Sequence, residues 1–189
     1  MNKKIATKKL TVSAIFIALS VVLSFVKIYK LPLGGSITLL SMLPVCLIAI
    51  MYGTRWGIFC SFIYSLVQLF MGLGELMSWG MDVRMWLGAV VFDNLLAFTV
   101  LGLSGIFRKH GHILKITGVA LAIALRFVCH FISGAIFFDI WMPEEFSNSF
   151  LYSFVYNGSY MLPEMIITVI GATLILLVPE IKKEINRNM

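Results

Sequence analysis

Apolar residues fall along this chain in six long blocks, divided by short segments of charged, Gly, Pro and Ser residues. They cover roughly Leu10–Tyr29, Ile37–Tyr52, Trp56–Leu73, Trp86–Phe107, Ile116–Ile140 and Phe150–Val178. Several approach the ~20 helical residues needed to cross ~30 Å of hydrocarbon. The second is short, and only Gly53-Thr54-Arg55 joins it to the third, so these two should form a tight hairpin. The pattern predicts an all-α integral membrane protein of six transmembrane helices, with residues 1–189 forming a single domain whose core lies inside the bilayer.

Five strongly polar or ionisable residues interrupt the apolar blocks: Asp93, Arg126, His130, Asn157 and Glu164. Such groups are costly in a membrane and usually face a cavity or pathway. Counted inward from the outer helix ends, Asp93 lies ~10 Å down, His130 ~15 Å and Asn157 ~11 Å, so three helices place polar groups in one outer layer. Arg126 and Glu164 lie lower, each near ~21 Å. Arg126, His130, Ser133 and Phe137 share one helical face, and Asn157, Tyr160 and Glu164 share another. The simplest arrangement is a cavity open to the outside and floored by an Arg126–Glu164 ion pair.

Each residue also has a plainer reading. Asn157 can bridge helices, His130 can be a packing residue, and the Arg126–Glu164 pair can be structural. Asp93 stands apart, because no cation lies at its own depth and a cationic ligand would supply one. The outer aromatics Trp79, Trp86, Phe137, Phe138, Trp141, Tyr152, Tyr156 and Tyr160 read either as an interfacial belt or as a cage for a cationic ring. Phe138 and Tyr152 border the polar layer. The loop Lys30-Leu31-Pro32-Leu33-Gly34-Gly35-Ser36 reads as a connector or a lid over the cavity.

A composition of 60% hydrophobic residues and a mean hydropathy of +0.96 exclude an ordinary soluble domain. The net charge of +6 does not point to nucleic acid, because the basic residues flank apolar blocks and form no stripe. An even number of spans puts both termini on one side. With that side cytoplasmic, Lys3, Lys4, Lys8, Lys9, Arg55, Arg108, Lys109, Lys115, Lys182, Lys183 and Arg187 lie inside, leaving Lys27, Lys30 and Arg84 outside among acidic residues. Lys27 and Lys30 are expected to snorkel from the end of the first helix.

Cys46, Cys60 and Cys129 sit in apolar blocks without metal-binding spacing, and the first block is too long for a cleaved signal peptide. No phosphate loop, Ser-His-Asp motif, zinc-protease signature or internal repeat is present. No resident cofactor, metal or catalytic role is expected. Any uphill transport must then draw its energy from a partner. Ala14-x-x-x-Ala18 forms a small-residue face on which a partner helix could pack closely.

The stretch His130-Phe131-Ile132-Ser133-Gly134-Ala135-Ile136-Phe137-Phe138, then Pro143, Tyr152-Ser153 and Tyr156-Asn157-Gly158-Ser159-Tyr160-Met161-Leu162-Pro163, resembles the thiamine-specific S components of energy-coupling factor vitamin transporters. Asp93-Asn94-Leu95-Leu96-Ala97-Phe98, Gly34-Gly35-Ser36-Ile37, Pro44 and Tyr52-Gly53 extend the likeness over nearly the whole chain. The resemblance implies a six-helix subunit in the cell membrane that captures thiamine from outside. It further implies a transmembrane coupling protein and two cytosolic ATPases as partners, contact with the coupling protein at Ala14 and Ala18, and toppling of the subunit to release its ligand inward. By residue match, Asp93 takes the place of the acidic group that binds the aminopyrimidine. His130, Tyr152 and Asn157 match further polar contacts, Phe138 stands where a Trp stacks in some members, and Asn94 where Tyr is frequent. The alternatives are an S component for another small vitamin or a thiamine precursor, a lipid-acting intramembrane enzyme using Asp93, Arg126 and His130, and a purely structural subunit.

Overall fold

The computed structural model describes residues 3–188, with side chains from Ala6 onward, so those of Lys3 and Lys4 in the basic flank lie outside the described residues. Helix α1 (Lys3–Phe25) leads into a two-stranded antiparallel hairpin, β1 (Lys27–Lys30) and β2 (Ser36–Thr38), with one turn of 3₁₀-helix between the strands. Then follow α2 (Leu43–Tyr52), α3 (Thr54–Ser78), a composite helix α4 (Val83–Gly105), α5 (His112–Phe137), α6 (Ser149–Ile175) and a short terminal α7 (Pro179–Arg187). Among the described residues five helices are long and apolar enough to cross a membrane: α1, α3, α4, α5 and α6.

Helix α2 is different. Its ten residues rise only about 15 Å, and every side chain from Leu43 to Met51 is buried. A helix apolar on all sides belongs in the middle of a bundle, and α2 supplies the centre of the main hydrophobic cluster with Tyr64, Leu101, Val119, Ile123 and Met161. Its ends are secured by different means. Pro44 starts it, where a missing N–H costs nothing. At the other end, Arg108 donates from Nε to Ile50 O at 3.3 Å and from Nη2 to Met51 O at 3.0 Å, serving carbonyls that have no helical partner. The same guanidinium donates to Asn188 O at 2.6 Å, which ties α7 beneath the bundle. Ile185 is buried there, and Lys8 pairs with Glu184 at 2.5 Å, holding that carboxyl below its ordinary pKa.

Close packing of α2, α3 and α4 depends on glycine. A Cβ on Gly57 would lie 2.3 Å from Ala49 Cβ, and one on Gly102 would lie 2.3 Å from the Ile58 backbone nitrogen. The last turns of α4 (Val100–Gly105) are 3₁₀, whose threefold repeat aligns Gly102 with Gly105 on the face that meets these helices. Small residues that let backbones touch are the usual adhesive between membrane helices, where lipid removes the hydrophobic drive.

Three expectations need correction. The first helix ends at Phe25 and the second begins at Leu43, so Lys27, Lys30, Ile37 and Thr38 lie in the hairpin. Lys27 and Lys30 therefore do not snorkel from a helix end. The third helix runs on to Ser78, and the fourth begins at Val83 as a mosaic of α, π and 3₁₀ turns. Hydropathy registers apolar runs, and an apolar hairpin packed on helices has the same signature as a helix end.

Candidate functional site

A cavity of about 320 Å³ opens between α1, α3, α4, α5, α6 and the hairpin, and Asp93, Asn94, His130, Phe138, Tyr152 and Asn157 all line it. That volume lies at the small end of the range for small-molecule sites, about 300–1,000 Å³. The polar groups expected in one outer layer thus converge on a single chamber.

Asp93 and Asn94 sit in a π-helical stretch, Ala89–Leu96, whose wider turn displaces the residues from their α-helical angles. Single π-turns are frequent where a helix must redirect a functional side chain. Asn94 steadies this stretch by donating from Nδ2 to Ala89 O at 3.0 Å. Asp93 is held from α5. His130 Nδ1 lies 2.9 Å from Oδ1, and the Ser133 hydroxyl donates to Oδ2 at 2.6 Å. On the other side of His130, Arg126 Nε donates to Nε2 at 3.3 Å.

Helix α6 contributes the amide. Asn157 is buried and donates from Nδ2 to Ser153 O at 2.9 Å, while its Oδ1 accepts from the Tyr160 hydroxyl at 2.7 Å. Gly134 permits this approach, because a Cβ there would lie 2.4 Å from Ser153 Oγ. Aromatic rings close the outer part. Phe138 packs on Trp141, and Tyr152 lies between Phe146 and Tyr156. Trp79, Tyr156 and Tyr160 line the same wall, whereas Trp86, Phe137 and Trp141 belong to the apolar cluster behind Phe138.

The hairpin forms part of the enclosure. Leu33, Gly34, Gly35 and Ser36 border the cavity, and the Tyr156 hydroxyl accepts from Gly35 N at 3.1 Å and donates to Pro32 O. Lys30 pairs with Glu75 of α3 at 3.0 Å, linking the hairpin to the opposite side. Below, Thr38 donates its backbone N–H to Glu164 Oε2 at 2.6 Å and its hydroxyl to Oε1.

That last contact overturns the expected floor. Among the described residues no carboxylate lies within 4.0 Å of Arg126, and Glu164 is satisfied by Thr38 instead. The Arg126 guanidinium rests 4.2 Å from the Phe98 ring centroid, with Nη1 2.6 Å from Met42 Sδ. By Cα depth Arg126 lies one turn below His130, and its side chain spans that turn to reach Nε2. Asp93 likewise has a partner at its own level, His130.

The chain matches, over residues 10–185, the family described as Thiamine transporter protein (Thia_YuaJ). The chain belongs to this thiamine transporter family. As a member it is a thiamine-specific S component and a multi-pass protein of the plasma membrane. A thiamine transporter ThiT of Bacillus subtilis (strain 168) is 30% identical over 184 residues, covering 90% of this chain and 91% of the relative. A solved structure of ThiT from Listeria monocytogenes shares the fold with a TM-score of 0.73 at 23% identity, covering 95% of this chain and 98% of that one.

Sequence reading of this family member missed Ser153 and Gln68, which also line the cavity. Gln68 donates to the Tyr64 hydroxyl at 2.7 Å and faces Ser24 of α1. A glutamine within an apolar block was the available signal. Serines carry less signal, since they are common in membrane helices whatever their role.

Proposed function

We propose that this S component takes thiamine from the extracellular side into the chamber between α4, α5 and α6, with Asp93, Asn94, His130, Phe138, Tyr152 and Asn157 as its contacts. The observation that carries the reading is the meeting of a carboxylate, an imidazole and an amide from three helices in one chamber with an aromatic wall. Asp93 retains lone pairs beyond those used by His130 and Ser133, and these accept the exocyclic amine of the aminopyrimidine. Asn157 Oδ1 offers a second acceptor, and His130 contributes its ring as a packing surface while its nitrogens hold Asp93 and Arg126. Phe138 and Tyr152 offer ring faces to the permanently cationic thiazolium, which a quadrupole attracts.

In the same reading the subunit crosses the membrane six times, α2 with the hairpin counting as one passage, and both termini lie in the cytoplasm beside the basic flanks. The whole chain is one S-component domain. It does no chemistry of its own: Arg126 cannot release a proton, and both nitrogens of His130 are engaged. Energy comes from a transmembrane coupling protein and two cytosolic ATPases. Ala14 and Ala18 lie on the outward, exposed face of α1, while Ser13, Phe16 and Ile17 turn toward the bundle, so the small-residue stripe is free for that partner.

Titration of the purified protein with thiamine, hydroxymethylpyrimidine and riboflavin tests the ligand. Stoichiometric saturation by thiamine without turnover is the expected result, and riboflavin binding in place of thiamine would reject it. Ala14→Trp tests the partner. The ring projects from the exposed face, so thiamine binding should be unchanged while uptake by the assembled transporter is lost. Normal uptake would remove this face from the docking surface.

A further inference from the structure

We propose that Arg126 is a positioning residue: it fixes His130 as the tautomer with its proton on Nδ1, and so keeps Asp93 an acceptor for the ligand. The proposal deepens the thiamine reading of the chamber and rests on it for its consequence, though not for its geometry.

Arginine carries donors only. With Arg126 Nε–H directed at His130 Nε2 across 3.3 Å, that nitrogen must present its lone pair. The imidazole proton then lies on Nδ1, which donates to Asp93 Oδ1 at 2.9 Å. Ser133 donates to the other oxygen at 2.6 Å. Both oxygens thus receive one internal donor, and each has a further lone pair to offer. The opposite tautomer would set the Nδ1 lone pair against Oδ1, and only a protonated Asp93 could relieve that clash. Asp93 would then present a donor where an amine-bearing ligand also presents one.

A cationic His130 is disfavoured by the same contact. A doubly protonated ring has no lone pair left at Nε2 to accept from Arg126 Nε. What remains is the collision of two N–H donors at Nε2. The other titratable groups nearby do not supply a competing acceptor. Tyr160 of α6 meets the His130 ring edge to face at 6.1 Å, and its hydroxyl is committed to Asn157. Glu164 is engaged by Thr38, and the Tyr64 hydroxyl accepts from Gln68 at 2.7 Å. Arg126 itself is held by the Phe98 face and the Met42 sulfur, with no ion pair among the described residues to draw it away.

The chain has three histidines; His110 lies in the α4–α5 connection and His112 opens α5, both far along the chain from His130. Nitrogen NMR of isotope-labelled histidine in lipid nanodiscs therefore resolves His130, assigned by its loss in His130→Gln. The expected spectrum of the wild-type protein without ligand is a neutral ring protonated on Nδ1 from about pH 5 to 8, the window in which an unconstrained histidine titrates. A ring protonated on Nε2, or a cation at neutral pH, overturns the proposal without any variant having to fold. Arg126→Met fits between Met42 and Phe98 but donates nothing. In it His130 should titrate across that window, and thiamine binding should weaken toward about pH 8, where the neutral ring is free to take the other tautomer, with Arg126→Lys restoring a flatter profile. An unchanged tautomer and a flat profile in Arg126→Met would also refute the role. If the wild-type protein shows the Nδ1 tautomer but binds no thiamine, the reading of the chamber fails and the tautomer assignment stands.

Discussion

Asp93→Ala should weaken thiamine binding roughly ten- to hundredfold while leaving the protein folded, because loss of a charge-assisted hydrogen bond costs about 1.5–3 kcal/mol. On the proposed contact the ligand's amine loses its acceptor, and His130, released from Asp93 together with Ser133, is no longer held in place on the chamber wall. Asp93→Asn separates charge from shape. Its carbonyl still accepts from one neighbour, but its amide opposes the Ser133 or His130 donor, so most of the loss should persist. Calorimetric titration of both variants, with a thermal melt as the folding control, decides the matter. Wild-type affinity in Asp93→Ala would exclude this residue from the site.

Gly102→Val should abolish stable folding, an effect larger than any at the binding site. The added Cβ would stand 2.3 Å from Ile58 N and 2.4 Å from Ile58 Cα, and both are backbone atoms that cannot rotate aside. Overpacking a core usually costs about 1–3 kcal/mol when side chains can yield. Here α3 and α4 must separate, pulling Gly57 away from the Gly102 carbonyl as well, so the expected loss exceeds that range. Gly158→Ala is the matched control. No atom lies within 4 Å of its Cβ position in α6, and replacing an unconstrained helical glycine should stabilise by about 0.4–1 kcal/mol. Yield and melting temperature of the two variants should therefore move in opposite directions. A normally folded Gly102→Val protein would show that the close contact of α3 and α4 does not hold the bundle.

The fate of Glu164 shows how the two kinds of information differ. Its burial and helical face could be inferred from its place in an apolar block. Its partner could not, because Thr38 arrives from a hairpin 126 residues away in sequence. Apolar content alone assigns Ile37 and Thr38 to a helix, and only the packing of the hairpin against α6 makes them strand. The reach of Arg126 is hidden from depth counting for a related reason. Depth along a helix is set by Cα positions, while a long side chain can cover a further turn, here the turn to His130.

From its sequence alone the protein is determined to be a helical membrane protein with polar groups of three helices at matching depth, since lipid tolerates neither unpaired backbone nor stray charge. Periodicity also determines that Arg126, His130 and Ser133 share a face. The tertiary structure alone decides the π-turn that aims Asp93, the hairpin that covers the chamber and the hydrogen bonds of Asp93, His130 and Arg126. Those features depend on contacts between segments far apart in the chain, whose distances no local pattern encodes.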